Sequence, residues 1–65
     1  MNVFINQETR ELPAGATLAD ALRVSDPPPV FATAVNLQFV PRARYEQHLL
    51  TEGDRIEIIA PITGG

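Results

Sequence analysis

The two most apolar strand-like stretches of this chain lie at its opposite ends, Met1 to Asn6 and Arg55 to Ala60. A chain of 65 residues builds one hydrophobic core, so both ends must enter it. At the N-terminus Met1, Val3 and Ile5 alternate with Asn2, Phe4 and Asn6, the period of a strand with one face inward. Phe4 falls on the polar face. At the C-terminus Ile56 and Ile58 point to the core and Glu57 to water, which leaves Ile59 on the outer face with Phe4. Two such strands bury most when they lie side by side at the centre of a sheet. The chain between them is long enough to make that pairing parallel.

The intervening residues supply the rest of an α+β layer. Asn6-Gln7-Glu8 is expected as a hairpin turn and Thr9 to Leu12 as the returning strand, with Pro13-Ala14-Gly15 as a break. Thr17 is placed to cap a helix, and Asp20 three residues on completes a capping box. Leu18, Ala21 and Leu22 form one apolar stripe. Ser25-Asp26 and Pro27-Pro28-Pro29 end the helix, because proline cannot continue it. Val30 to Asn36 is expected as a third strand, Leu37-Gln38 as a turn and Phe39-Val40 as a short return. A helical turn is expected within Pro41 to Leu50, with Tyr45 and Leu49, four apart, both in the core. Glu52-Gly53-Asp54 forms the last turn, where the Asp54 side chain caps backbone amides. Asn36, at a strand end, bonds a turn backbone. The result is a mixed sheet of four to five strands gripping one main helix, with a short helical turn beside it.

Composition narrows the function classes. The chain has no Cys and one His, His48, so disulfides and a Cys/His zinc site are excluded, and the fold rests on its core or a partner. No metal site is expected. The net charge is −3 with no Lys, and the five arginines are dispersed apart from Arg42 and Arg44. Nucleic acid, which needs clustered positive charge, is not an expected partner. A protein with a basic docking face fits better. Without Lys the chain cannot accept lysine-linked conjugation. The start lacks a basic region followed by a long apolar stretch, and no segment is long enough to span a membrane. A cytoplasmic location is therefore expected. No acid/base pair, nucleophile–base pair or metal cluster can be assembled, so the chain is not expected to be an enzyme.

The sequence ends in Gly64-Gly65, five residues past the last strand. At an average glycine usage of about 7%, such a pair has chance odds of roughly one in two hundred. With this ending, the stretch Ala34-Val35-Asn36-Leu37-Gln38-Phe39-Val40-Pro41-Arg42 is similar to the "AVN…VPR" segment of the ThiS-type sulfur carriers. Glu52-Gly53-Asp54-Arg55-Ile56-Glu57-Ile58 resembles their "GD.IEI" segment. The likeness covers the whole chain. One departure is Tyr45, where many relatives carry Trp. Molybdopterin sulfur carriers of the MoaD type share the ending but are usually longer, with a different middle.

The resemblance implies a ubiquitin-like β-grasp fold over residues 1–65, a single domain with a flexible tail from about residue 61. It implies a monomer when free, with no tightly bound cofactor. It also implies a carrier cycle in which Gly65 offers its carboxylate to an E1-like adenylating enzyme of the ThiF type. That enzyme would use ATP to make an acyl-adenylate. A sulfur donor such as a cysteine desulfurase or rhodanese-like protein would convert it to a thiocarboxylate. A thiazole synthase of the ThiG type would then take the sulfur for thiamin biosynthesis. Gly64 and Gly65 suit this because residues without Cβ pass a narrow channel. From Ile62 to Gly65 an extended tail spans roughly 13 Å, at about 3.3 Å per residue. Docking needs a second surface, and Phe4 and Ile59, in adjacent central strands, are expected to form one exposed apolar patch that Ile62 extends. Three other functions fit the same residues: a sulfur carrier for a molybdopterin-type, cysteine or siderophore route, a ubiquitin-like modifier conjugated through Gly65, and a plain interaction module.

Overall fold

Val3 and Ile5 are buried while Asn2 is exposed and Phe4 half-covered, so the alternation at the N-terminus becomes a strand, β1 (Asn2–Ile5). The computed structural model describes residues 1–60. The expected tail lies outside them. β1 turns through Asn6-Gln7 into β2 (Glu8–Glu11) and pairs with it antiparallel, Ile5 opposite Glu8. All four residues of β2 are exposed, as suits an edge strand. Leu12, just beyond it, turns inward and donates its N–H to the Met1 carbonyl, at 2.8 Å.

Helix α1 (Leu18–Ser25) starts where the capping box sets it. The Asp20 N–H donates to Thr17 Oγ1 at 3.3 Å, and the Thr17 N–H donates to Asp20 Oδ2 at 2.9 Å. Those two bonds satisfy donors that a helix start leaves free. Leu18, Ala21 and Leu22 are all buried. Asp26 closes the helix in the left-handed region, at φ 52°, a usual way for a helix to stop.

The prolines delay the next strand. β3 (Ala32–Val35) begins two residues later than expected, and Val30 stands 67% exposed. Phe31 stacks on Tyr45, ring centroids 6.2 Å apart, instead of entering the sheet. β3 returns through Asn36-Leu37 into β4 (Gln38–Val40), one residue earlier than the expected Leu37-Gln38 turn. A 3-10 turn, Arg42–Arg44, follows, and Tyr45 packs against the core. Leu49 is corrected: it is 65% exposed, and Leu50 is the buried residue. The helical spacing from Tyr45 does not apply there, because this stretch is extended. Leu18 N–H reaches the His48 carbonyl at 2.9 Å, and Leu50 N–H reaches the Ala16 carbonyl at 3.0 Å. In an extended segment neighbours point opposite ways, so Leu50 inward puts Leu49 outward.

β5 (Arg55–Ile59) completes a five-stranded sheet of order β2-β1-β5-β3-β4. It runs parallel to β1 and antiparallel to β3. The first and last strands thus lie side by side at the sheet centre, as the sequence requires. Val3, Ile5, Val35 and Ile56 face Leu18 and Leu22 of the helix in one core. Full burial of each such side chain contributes about 2 kcal/mol. One helix clasped by a mixed sheet is the β-grasp arrangement.

Candidate functional site

Residues opposite each other in paired strands project on the same side. The pairings therefore define the sheet face turned away from α1. Phe4 lies there on β1, with Arg55, Glu57 and Ile59 on β5, Ala32 and Ala34 on β3 and Phe39 on β4. Among the described residues this face is open: Ile59 is 53% and Phe39 70% exposed. Ile59 is opposite Ala32 and Ala34 is opposite Phe39. The small alanines between the two larger side chains leave a shallow apolar strip across β5, β3 and β4.

Phe4 and Ile59 share this face but not a patch. Phe4 is opposite Arg55, and Ile59 lies four residues farther along β5, about 13 Å away at roughly 3.3 Å per residue. Glu57 stands between them. The Arg55 guanidinium lies 5.7 Å from the centroid of the Phe4 ring, a cation–π contact that caps the aromatic face. Beside it is an open hollow of about 510 Å³ lined by Phe4, Asn6, Gln7, Arg55, Ile56 and Glu57. Parity along each strand gave the face, but adjacency depends on register, which only the partner strand sets. Phe39 is the residue that sequence reasoning left out. Its signal was available, since in a two-residue hairpin Phe39 must share a face with the even-numbered residues of β3.

The path of β5 is held at both ends by hairpin asparagines. At its start, Asn36 N–H donates to the Arg55 carbonyl at 2.8 Å, and the Arg55 N–H donates to Asn36 Oδ1 at 3.0 Å. Toward its end, Asn6 N–H donates to the Ile56 carbonyl at 2.9 Å, and the Ile58 N–H donates to Asn6 Oδ1 at 2.8 Å. Asn6 Nδ2 also donates to the Ile58 carbonyl, at 3.4 Å. In each case the side-chain oxygen takes the bond that the residue's own carbonyl would accept in a continued ladder. It does so because the turn, with φ of 49° at Asn6 and 51° at Asn36, carries the main chain away from β5.

Asp54 anchors the entry to β5. Its carboxylate accepts from the Thr51 N–H at 2.8 Å, the Thr51 hydroxyl at 2.9 Å and Asn36 Nδ2 at 3.0 Å. Burial pushes its pKa up, but the Thr51 amide, the Asn36 and Thr51 side chains and the charge of His48 outweigh it and hold the pKa below 3.8. Asp54 thus caps a backbone amide as expected, and Asn36 bonds backbone beside the turn. Ile62, Gly64 and Gly65 lie outside the described residues.

The profile of the ThiS family matches residues 3–65. Sulfur carrier protein ThiS of Escherichia coli strain K12 is 33% identical over 66 residues, spanning all of both chains. Among solved structures, the crystal structure of the thiamine biosynthesis protein ThiS from Geobacter metallireducens superposes with a TM-score of 0.82. That match covers all of both chains at 16% identity, a likeness of fold.

Proposed function

Since this chain belongs to the ThiS family of sulfur carriers, we propose that its Gly65 carboxylate is the group that carries sulfur. The observation that carries this reading is the family match through Gly64-Gly65 to the last residue. A carboxylate repels nucleophiles and has a poor leaving group. Its oxygen attacks the α-phosphorus of ATP on an E1-like enzyme of the ThiF type, and pyrophosphate leaves. The outer sulfur of a persulfide on a desulfurase or rhodanese-like donor then attacks the acyl carbon. A C–S bond forms, the acyl C–O bond breaks, and AMP departs with the electron pair. A thiol, the reductant of the step, then attacks the donor's sulfur in the acyl disulfide, and the S–S bond breaks to release the thiocarboxylate. The resulting thiocarboxylate gives its sulfur to a thiazole synthase of the ThiG type in thiamin biosynthesis. The chain itself supplies the reacting terminus and a docking surface, with no bound cofactor.

Incubation with the adenylating enzyme, ATP and a sulfur donor should change the intact mass by one oxygen exchanged for sulfur. Deletion of Gly65 should abolish the change, and Gly65→Ala should slow it severely without unfolding the domain. An unchanged mass, with the partner enzyme active on another carrier, would overturn the reading. A thiocarboxylate that feeds a molybdopterin, cysteine or siderophore route instead would keep the carrier cycle and reassign the pathway.

The open sheet face is the docking surface in this reading. Ile59 and Phe39 form its apolar strip, Phe4 under Arg55 its second contact, and Ile62 its extension along the chain. Ile59→Asp should raise the KM for adenylation by about tenfold, a common loss for one apolar interface contact, while thermal stability stays near that of the parent. Unchanged KM in a folded variant would remove this face from the docking surface.

A further inference from the structure

β5 outruns β1, one of its two partners, while β3 stays paired with it as far as Ala32 opposite Ile59. The parallel ladder ends at Ile5 opposite Ile56, and β5 continues to Ile59. Beyond Ile56, the described residues offer the β1 side of β5 one further set of bonds, from the Asn6 carboxamide to the Ile58 peptide. We infer that Asn6 is a positioning residue for the carrier terminus, its carboxamide aiming the end of β5 from which the chain continues to Gly65. This rests on the reading that the Gly65 carboxylate is the reacting group.

The physical case has three parts. First, the bonds are of the kind that fixes direction. Oδ1 and Nδ2 meet the N–H and the carbonyl of one residue, as a strand would, so the peptide is held against both tilt and slip. Second, the turn gives Asn6 its place. Gln7 follows it at φ 71°, so both central residues are left-handed, as in a type I′ turn whose first position favours Asn. Third, the place matters. Ile58 is the next-to-last residue of β5, so the direction held there is the one in which the chain leaves the sheet. Acyl transfer is sensitive to misplacements of about 1 Å, even ones caused far from the reacting atoms.

A structural role for Asn6 in the turn must be separated from a role in aiming the terminus. Asn6→Gly does so, because Gly adopts the left-handed turn at least as well while removing the carboxamide. Asn6→Asp is the rescue, since it keeps the oxygen that accepts from the Ile58 N–H. Asn36→Gly is the control, a matched change in the other hairpin at the far end of the same strand. All would be assayed with the full chain at a temperature where each is folded.

Asn6→Gly should speed amide exchange at Ile58 by roughly tenfold, the loss of one ordinary hydrogen bond. It should lower kcat for adenylation by about tenfold with little change in KM, because docking is intact and alignment is lost. Asn6→Asp should recover most of that kcat. Asn36→Gly should leave kcat near the parent value. Equal kcat in Asn6→Gly and parent, or an equal fall in Asn36→Gly, would overturn the assignment. If the parent chain is not adenylated at all, the carrier reading fails on its own. The exchange measurement then still decides whether Asn6 holds Ile58: protection lost in Asn6→Gly supports the clamp, and protection retained refutes it.

Discussion

The β1–β2 and β3–β4 hairpins use one device for two purposes. Each turns on two left-handed residues, Asn6-Gln7 and Asn36-Leu37, and each asparagine lends its side-chain oxygen to a β5 amide. They differ in where the side-chain nitrogen goes. Asn36 Nδ2 meets the buried carboxylate of Asp54, which also gathers the Thr51 amide and hydroxyl. Among the described residues, Asn6 Nδ2 meets main chain alone, the Ile58 carbonyl, near solvent. The first arrangement is cross-linked into a turn and sets where β5 begins. The second, among the described residues, bonds the strand alone, and holds the β1 side of β5 near its end. One local motif can therefore serve folding at one site and alignment at another, according to the group that its second bond reaches.

The largest test of this contrast falls on Asp54. Asp54→Ala leaves the Thr51 amide, the Thr51 hydroxyl and Asn36 Nδ2 without their shared acceptor, and should cost about 3 kcal/mol in unfolding free energy by urea titration. A loss under about 1 kcal/mol would show that the β5 entry is not a cross-linked unit. The pH dependence has a definite sign. The folded pKa of Asp54 lies below 3.8, so its contribution is present above that value and is lost as pH falls through the lower folded pKa. Stability should therefore drop in acid, and the drop should be smaller in Asp54→Asn.

The two hairpins also show what was legible beforehand. Strand faces were, because alternation survives any error in where a strand stops. Val3, Ile5 and Ile56 had to be inside for any strand to form, and they are buried. The Thr17 cap was legible too, since a capping box is local chemistry. Position along neighbouring strands was not. Phe4 and Ile59 were assigned the right face and the wrong separation, because parallel register is set by where the whole crossover docks. The side-chain bonds of Asn6 to Ile58 span 52 residues of sequence and carry no local signal. Leu49 failed for a related reason. Its fate depends on bonds from residues 48–50 to residues 16–18, which replace a helical period with an extended one.

The smallest effect belongs to the second turn position, where the hairpins should behave alike. Gln7 and Leu37 hold φ of 71° and 69°, a region that side chains with a Cβ enter at some cost. Glycine is the favoured residue there, and Leu37, 87% exposed, has little packing to lose. Relief of the left-handed strain exceeds the extra freedom that glycine gives the unfolded chain. Leu37→Gly and Gln7→Gly should each therefore gain about 0.5 kcal/mol and raise Tm by a few degrees. Equal gains would locate the difference between the hairpins wholly in their asparagines. A loss at Leu37 alone would mean that its side chain supports the β3–β4 hairpin, and the functional contrast would then have to be sought in both residues of the turn.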